Sequence, residues 1–538
     1  MLAAHGVDRV FGLPGVHNLP FWDVEDGPRI IGVRHEQAAG YAADGLARSG
    51  GGLGVALTTT GPGAMNVLAA FGEAAVSHSS ILVIASDVSS ALRRSEPRGI
   101  LHEMRDQAAP FVPLASRFSD GRPMAHTATS ADDAIAWLAQ MLEHHAQHGE
   151  IAGYLGIPTD LLTAHVAAAS FDAAASAIVT RAFENVDLTD AVTAMDAMER
   201  PVLWLGGGTA ALSGRAGGAA ALEEFAQRLQ GPIVTTFAAR GVLAGHPLVI
   251  DAPVHEPEVH AILEAADGLV VLGSDFDGMN TRNWRVPLPQ RVVSVNHAVE
   301  PVRTNLPEAT HVLADLGMLP TITSAMEAHG PWRRVHDVAD VIRGRLRIDP
   351  RGEAGMRLVE AVESAWPDAA ALVVDMCVAG YWLAGYARQP RAQRLAYPVG
   401  WGTLGFALPA AIGTASAGTP TLAVCGDGGA LFAIGELATY AQEGLPITLL
   451  IDDDGGYGML RFDQRVFGHP ERGVDLVTPD WLALAASFGI SGMRGDALEE
   501  ALRWGHARNR EGEPAVIVTS LALHPPRTTS PRWSEPMA

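Results

Sequence analysis

The chain has 538 residues, 48% of them hydrophobic and 18% charged, with a formal net charge of −22; that length calls for two or three domains, and that charge argues against a nucleic-acid surface, which needs clustered cations. All 38 basic residues are arginine and none is lysine, which excludes a pyridoxal phosphate Schiff base and a Walker-type phosphate loop. No apolar run approaches the roughly 18 residues that cross a bilayer, the start lacks the features of a signal peptide, and Cys377 and Cys425 make neither a disulfide framework nor a zinc set, so a cytoplasmic protein is expected.

In chain order, the glycine-rich turn Gly12-Leu-Pro-Gly15-Val-His17-Asn18 precedes a strand at 30–33 that runs into Arg34-His35-Glu36. An acid at a helix start is ordinarily a solvated charge favoured by the dipole. Here the small apolar flank Ala38-Ala39-Gly40-Tyr41 points to burial, which would suit Glu36 to proton exchange. Strands follow at 53–60 and 80–86, then the polar loop Leu101-His102-Glu103-Met-Arg-Asp-Gln107, and the block closes near Ile157-Pro-Thr-Asp-Leu161. The first domain is set at residues 1–165, with the Ala-rich stretch 164–176 as a linker.

A second domain is set at 180–330, with strands at 202–205, 269–272 and 292–295 and a glycine turn Gly206-Gly207-Gly208. Asn296 stands where an acidic residue would hold a ribose, so FAD binding is not expected. The Arg-rich stretch 331–351 is the second candidate linker. The third domain is set at 352–530, with strands at 371–374, 422–425, 447–451 and 515–519. Strands alternating with helices in every block predict an α/β protein of three doubly wound parallel sheets.

A shift of 365 positions places Gly40-Tyr41-Ala42 on Gly405-Phe406-Ala407 and Gly61-Pro62-Gly63 on Gly426-Asp427-Gly428. The first and third domains are therefore read as diverged copies of one fold. The copies differ at one telling position, Pro62 in the first and Asp427 in the third.

Gly426-Asp427-Gly428-Gly429 is followed by a predicted helix at 430–443, and the strand at 447–451 delivers Asp452-Asp453-Asp454. Ligands of doubly wound sheets bind outside the carboxyl ends of strands, where a glycine turn offers N–H groups to phosphate. A carboxylate beside a phosphate needs a hard cation between them.

Asp454 lies 27 positions beyond Asp427, and here the chain resembles the thiamine diphosphate enzymes, whose motif is Gly-Asp-Gly, a stretch of about this length, then Asn-Asn. Glu436-Leu-Ala-Thr439, Gly444-Leu-Pro446 and Gly458-Met459 resemble the acetolactate synthase-like branch, as do Val10-Phe11-Gly12, Arg34-His35-Glu36 and Thr60-Gly61-Pro62-Gly63. Asp453-Asp454 in place of Asn-Asn is the departure. The resemblance implies magnesium held by Asp427, Asp454 and the Gly456 carbonyl, with Asp453 in support or on the cofactor and Asp452 without an assigned role. It implies a cofactor site that also includes Gly428, Gly429, Tyr457, Gly458 and Met459. Gly402 would offer its carbonyl to the aminopyrimidine, Leu404 would hold the cofactor bent, and Glu36 would activate it. His17 aligns with a catalytic histidine of benzaldehyde lyase-type members, and His102 with an active-site glutamine of the synthases. The family builds its site from two subunits, so a homodimer or homotetramer is implied. An initial helix is expected to be missing before the first motif.

The implied activity is thiamine diphosphate- and Mg2+-dependent decarboxylation of a 2-oxo acid, with aldehyde release or carboligation. The alternatives are an acyloin or aldehyde lyase and a catalytically silent cofactor-binding homologue. A nicotinamide dehydrogenase using the middle glycine turn is a weaker reading.

Overall fold

The computed structural model describes residues 1–24, 26–176, 186–298 and 300–529. It contains three sheets in which every strand pairing is parallel. The first holds β1 (Arg9–Gly12), β2 (Arg29–Gly32), β3 (Gly54–Thr58), β4 (Ile81–Asp87), β5 (Ala125–Thr127) and β6 (Ala152–Pro158), in the order β2-β1-β3-β4-β6-β5. The middle sheet holds β7 (Pro201–Leu205), β8 (Ile233–Thr235), β9 (Gly268–Leu272), β10 (Arg291–Asn296) and β11 (Thr310–Leu313), in the order β11-β10-β9-β7-β8. The third holds β12 (Ala371–Val374), β13 (Leu395–Ala396), β14 (Thr421–Gly426), β15 (Ile447–Asp452), β16 (Ser491–Arg494) and β17 (Ala515–Thr519), in the order β13-β12-β14-β15-β17-β16. The central strands β3, β4, β7, β9, β12, β15 and β17 are buried along their whole length. Helices on both faces of a parallel sheet produce this pattern.

The first and third sheets have one topology, strand for strand, as the 365-residue repeat predicts. Their equivalent helices, Glu36–Arg48 and Ala407–Ala415, also pack on each other. A Cβ on Gly45 would lie 2.1 Å from the Ala410 carbonyl oxygen, and one on Gly413 would lie 1.8 Å from that of Ala42. Only glycine permits backbones to approach so closely. Residues that match each other across the repeat touch: Tyr41 meets Phe406 edge-on with centroids 5.6 Å apart, and the hydroxyls of Ser49 and Thr414, 365 positions apart, share a 2.8 Å hydrogen bond. A local two-fold axis therefore runs along this helix pair.

Three sequence expectations need correction. The stretch 331–351 is not a free linker, because it carries the helix Val338–Ile348, whose Ile342, Arg343 and Leu346 are buried and whose Arg343 is paired with Glu363 of the third domain at 2.6 Å. The stretch 164–176 contains the helix Ala168–Ser176. The helix expected at 430–443 starts at Asp427 and is broken into Asp427–Ala433, a 3-10 turn Ile434–Glu436 and Leu437–Glu443. The break turns the carboxylate of Glu436 toward the first domain.

The first and middle domains meet at a histidine–carboxylate cluster. Helix Ala131–His148 is started by Ser130, whose hydroxyl accepts from the Asp133 amide, and is stopped by Gly149 at φ 76°. The next residue, Glu150, lies 3.3 Å from His78 and 2.9 Å from His297, and His78 also meets Asp275 at 2.6 Å. Nearby, Arg215 pairs with Asp315 at 2.9 Å. The charge of Glu150 holds the His78 proton well above the usual histidine range. Burial works to lower His297, but its hydrogen bond to Glu150 raises it overall. A raised native pKa means stabilisation that is complete below about 6.5 and is lost as pH rises through the native value. Thermal unfolding followed across pH 6 to 9 is expected to show stability falling on the alkaline side, with a shallower fall in His78→Gln.

Candidate functional site

In the first domain, the Thr59–Gly63 turn at the end of β3 gathers the predicted residues. A Cβ on Gly15 would lie 2.8 Å from the Thr59 side chain, and one on Gly63 would lie 2.7 Å from Thr59 Cγ2 and 3.1 Å from Glu36 Oε1. Glu36 is buried at the start of its helix and accepts a 3.0 Å hydrogen bond from Asn66. His102 packs its carbonyl against Gly61, which has φ 63°, and its ring meets that of His17 with the two Nδ1 atoms 3.3 Å apart. The structure thus brings Glu36, His17 and His102 to one turn.

In the third domain, β14 and β15 are adjacent, and Gly426 lies in register with Asp452. Asp427 and Asp454 therefore leave neighbouring strand ends together. Asp427 is 1% exposed, and neither of its carboxylate oxygens has a hydrogen-bond partner. Burial first, then the charges of Asp454 and Asp453, push its pKa up to about 6. Asp454 is raised as well, by burial, with Arg461 opposing the shift. A buried carboxylate without a donor costs free energy, and a cation supplies what it lacks. Among the described residues, no group of three or more His, Cys, Asp or Glu side chains is placed to hold a metal ion. Two carboxylates and a carbonyl fit a magnesium site that also takes phosphate and water.

The glycines around this pair are there for space. A Cβ on Gly428 would lie 2.6 Å from the Tyr457 ring, one on Gly458 would lie 2.0 Å from Asp454 Oδ2, and one on Gly456 would lie 2.0 Å from the Val474 carbonyl oxygen. Gly429 approaches Asp375, with a would-be Cβ 3.0 Å from its Oδ2. Met459 follows in the first turn of helix Gly458–Val466. Gly402 has φ 69° and Leu404 is half-buried in the loop that leads to helix Ala407–Ala415.

Asp453 does not turn toward this pair. Its carboxylate accepts from Trp481 Nε1 at 2.8 Å, Thr478 Oγ1 at 3.2 Å and the Gly455 amide at 3.2 Å, so it braces the loop that carries Asp454. Asp452, for which the sequence offers no role, accepts from the Leu521 amide at 2.8 Å and ties the end of β15 to the chain beyond β17.

Four positioning residues were missed. Glu73, fully buried, accepts the amides of Gly400, Trp401 and Gly402 at 3.0, 2.9 and 3.1 Å. Glu436 accepts the Arg34 amide at 2.8 Å, next to Glu36. Each glutamate belongs to the opposite domain from the loop it holds, and they lie 363 positions apart, close to the repeat offset. Asp375 accepts the Met376 and Gly405 amides at 2.8 and 3.0 Å, and burial raises its pKa to about 7. Gln107 accepts the Gly61 amide at 2.6 Å and donates to Ser86 O and Tyr154 Oη, both at 2.8 Å. The repeat was the one available signal, and an inexact one, because at its 365-residue offset Glu73 falls on Ala438, two positions past the Glu436 of a recognised motif.

The middle domain offers a different picture. A Cβ on Gly206 would lie 2.2 Å from the Gly273 carbonyl oxygen and 2.4 Å from Ser274 Cβ, so this glycine turn is pressed against the next one. Among the described residues, no helix is long and apolar enough to cross a membrane.

Residues 1–109, 188–324 and 375–519 match, respectively, the N-terminal TPP binding domain, the central domain and the C-terminal TPP binding domain of thiamine pyrophosphate enzymes. The chain is 31% identical to a probable 2-ketoarginine decarboxylase of Pseudomonas aeruginosa, over 94% of this chain and 89% of that one. It is 28% identical to an acetolactate synthase large subunit of Mycobacterium tuberculosis, over 92% and 82%. A thiamine diphosphate-dependent 4-hydroxybenzoylformate decarboxylase of Rhodococcus jostii shares the fold, with a TM-score of 0.78 at 21% identity, over 97% of this chain and 98% of that one.

Proposed function

Because the chain belongs to the thiamine pyrophosphate enzyme family, we propose that it decarboxylates a 2-oxo acid with thiamine diphosphate and Mg2+, releasing an aldehyde or joining the remaining carbon unit to a second carbonyl. Bound cofactor supplies the carbon nucleophile and takes up the electrons freed when carbon dioxide leaves. The carboxylates of Asp427 and Asp454 and the carbonyl of Gly456 would hold the cation, and the Gly428 and Gly429 turn would meet the diphosphate. Tyr457, Gly458 and Met459 would line the same end. Gly402 and Leu404 would seat the aminopyrimidine, Glu36 would exchange a proton with it, and His17 and His102 would face the substrate.

The observation that carries the reading is Asp427, a buried carboxylate with neither oxygen satisfied, beside a second carboxylate at the adjacent strand end. The name of the Pseudomonas relative favours decarboxylation over acetolactate synthesis. Flavin is left out of the proposal, since the middle glycine turn is taken up by backbone packing. A homodimer or homotetramer is included. Its support is apolar surface at both half-sites, with Val16 85% and Leu101 73% exposed in the first domain and Phe432 55% exposed in the third.

The test is a panel of aliphatic, aromatic and guanidino 2-oxo acids, scored for carbon dioxide with and without an aldehyde acceptor. At least one acid is expected to react, and Glu36→Gln is expected to slow it about a hundredfold or more. Cleavage of acyloins without reaction of any oxo acid would favour the lyase alternative. Tight cofactor binding without any turnover would favour the silent homologue.

A further inference from the structure

We propose that His17 and His102 work as one proton-donating unit that carries a single exchangeable charge, rather than as two independent histidines; the inference rests on the reading above that their turn faces a 2-oxo acid. The rings are perpendicular, with centroids 5.1 Å apart and the two Nδ1 atoms 3.3 Å apart. Both backbones are held separately. The Gly15 amide donates to Asn18 Oδ1 at 2.7 Å, and the buried Asn18 donates to Leu13 O at 3.0 Å, which fixes the turn bearing His17. His102 adopts φ 66°, a left-handed conformation rare for a residue with a side chain, over Gly61. Separate anchoring makes the meeting of the rings a built feature.

Two Nδ1 atoms that face each other can share only one hydrogen: one ring must donate and the other accept. In the neutral pair the tautomers are therefore complementary. The donor ring has a bare Nε2, and the acceptor ring carries its hydrogen on Nε2. One further proton charges the bare Nε2 without breaking the bridge. A second would put a hydrogen on both Nδ1 atoms and set two cations together. The charged and titratable groups on the packed elements do not intervene. Glu36 lies across the Gly61–Gly63 turn, Glu103 accepts the Arg98 and Ile100 amides, Asp106 accepts the Ala108 and Ala109 amides, Arg98 donates to Leu92 O, and Arg105 pairs with Glu96.

The charged pair suits one step. Once carbon dioxide had left, the cationic ring's Nε2 would give its hydrogen to the carbon that bore it. The N–H bond breaks, its electrons stay on nitrogen, a C–H bond forms, and water reloads the pair with one proton. Coupling through the bridge means that loss of either ring disables the unit.

The test uses the full chain labelled with 15N-histidine, with the two rings identified among 20 histidines by their absence from His17→Gln and His102→Gln spectra. One Nδ1–H and one Nε2–H tautomer are expected, titrating as a single proton uptake, and each ring is expected to lose its preference in the other's variant. Kinetically, each single variant is expected to lose about a hundredfold in kcat/KM and the double variant no more than the worse single. Two identical tautomers titrating independently, or single losses that multiply in the double variant, would overturn the proposal. If the wild type turns over no oxo acid, the functional reading fails while the spectra still decide the pairing.

Discussion

Asp427→Asn is expected to make the cofactor-free protein more stable while abolishing its binding of magnesium and thiamine diphosphate. The native carboxylate is buried without a donor and its pKa is raised from 3.8 to about 6, which corresponds to about 2–3 kcal/mol of strain in the ionised native state. An amide of the same shape removes the charge. The sign of the pH dependence follows. With the native value above the unfolded one, protonation favours the folded state, so this contribution is complete below about 3.8 and is lost as pH rises through about 6. Asp375 and Asp452, both raised to about 7 by burial, act in the same direction in wild type and variant alike. The Asp375 part cancels between the two proteins, whereas Asp452, raised in part by the Asp427 charge, relaxes in the variant, so the difference reports Asp427 together with its coupling to Asp452. Chemical denaturation from pH 4 to pH 7.5 should show the advantage of the variant growing with pH, small near pH 4 and complete above about pH 7. Saturating cofactor and Mg2+ should reverse the order, since ligand at 1,000 times its Kd adds about 4.1 kcal/mol to the protein that binds it. Equal calorimetric affinities in the two proteins would sink the assignment.

Glu73→Ala is expected to cost about 3–5 kcal/mol of stability, the usual result of removing one partner from a buried, hydrogen-bonded charge network. Burial works to raise the Glu73 pKa, but the Arg48 guanidinium 3.1 Å away and the amides of the 400–402 loop hold it below the usual carboxylate range. Truncation leaves those three amides without an acceptor and deprives Arg48 of one of its two carboxylates, Asp44 being the other. The loop that presents Gly402 then loses its anchor, so cofactor affinity should fall together with stability. Glu73→Gln keeps the shape and one acceptor oxygen and should lie between. A loss under about 1 kcal/mol in urea denaturation, within the range of an ordinary surface substitution, would show that the loop is held by something else.

The sequence made the long central strands legible because strands buried on both faces read as unbroken apolar runs. Five of the overlooked strands, β5, β8, β11, β13 and β16, are sheet edges of two to four residues, too short for any periodicity to register. β6 was missed for another reason: Gly153, Gly156 and Pro158 interrupt its pattern. Asp427 and Asp454 were readable because both lie on motif positions at strand ends. Glu73, Asp375 and Gln107 were not, because each acts by accepting backbone amides from segments up to 329 positions away. A hydrogen bond to an amide leaves no trace in the identity of the residue that donates it. The contact between His17 and His102 was invisible for a related reason, since it depends on the backbone reversal at His102 that a residue type does not announce.

The glycine contact between helices Glu36–Arg48 and Ala407–Ala415 also bears on how the two copies could drift apart. Along this seam each copy is the other's immediate environment, so a side chain enlarged in one is a collision for the other. Divergence was free where the copies face different neighbours, as with Pro62 against Asp427, and that freedom let one copy take up ion chemistry. Along the seam the matching residues stay alike as Tyr41 with Phe406, Ala42 with Ala407 and Ser49 with Thr414, while the close contacts are made by Gly45, which matches Ala410, and Gly413, which matches Arg48. The seam is thus a record of the original symmetric pairing, kept legible by steric necessity after the halves had parted in role.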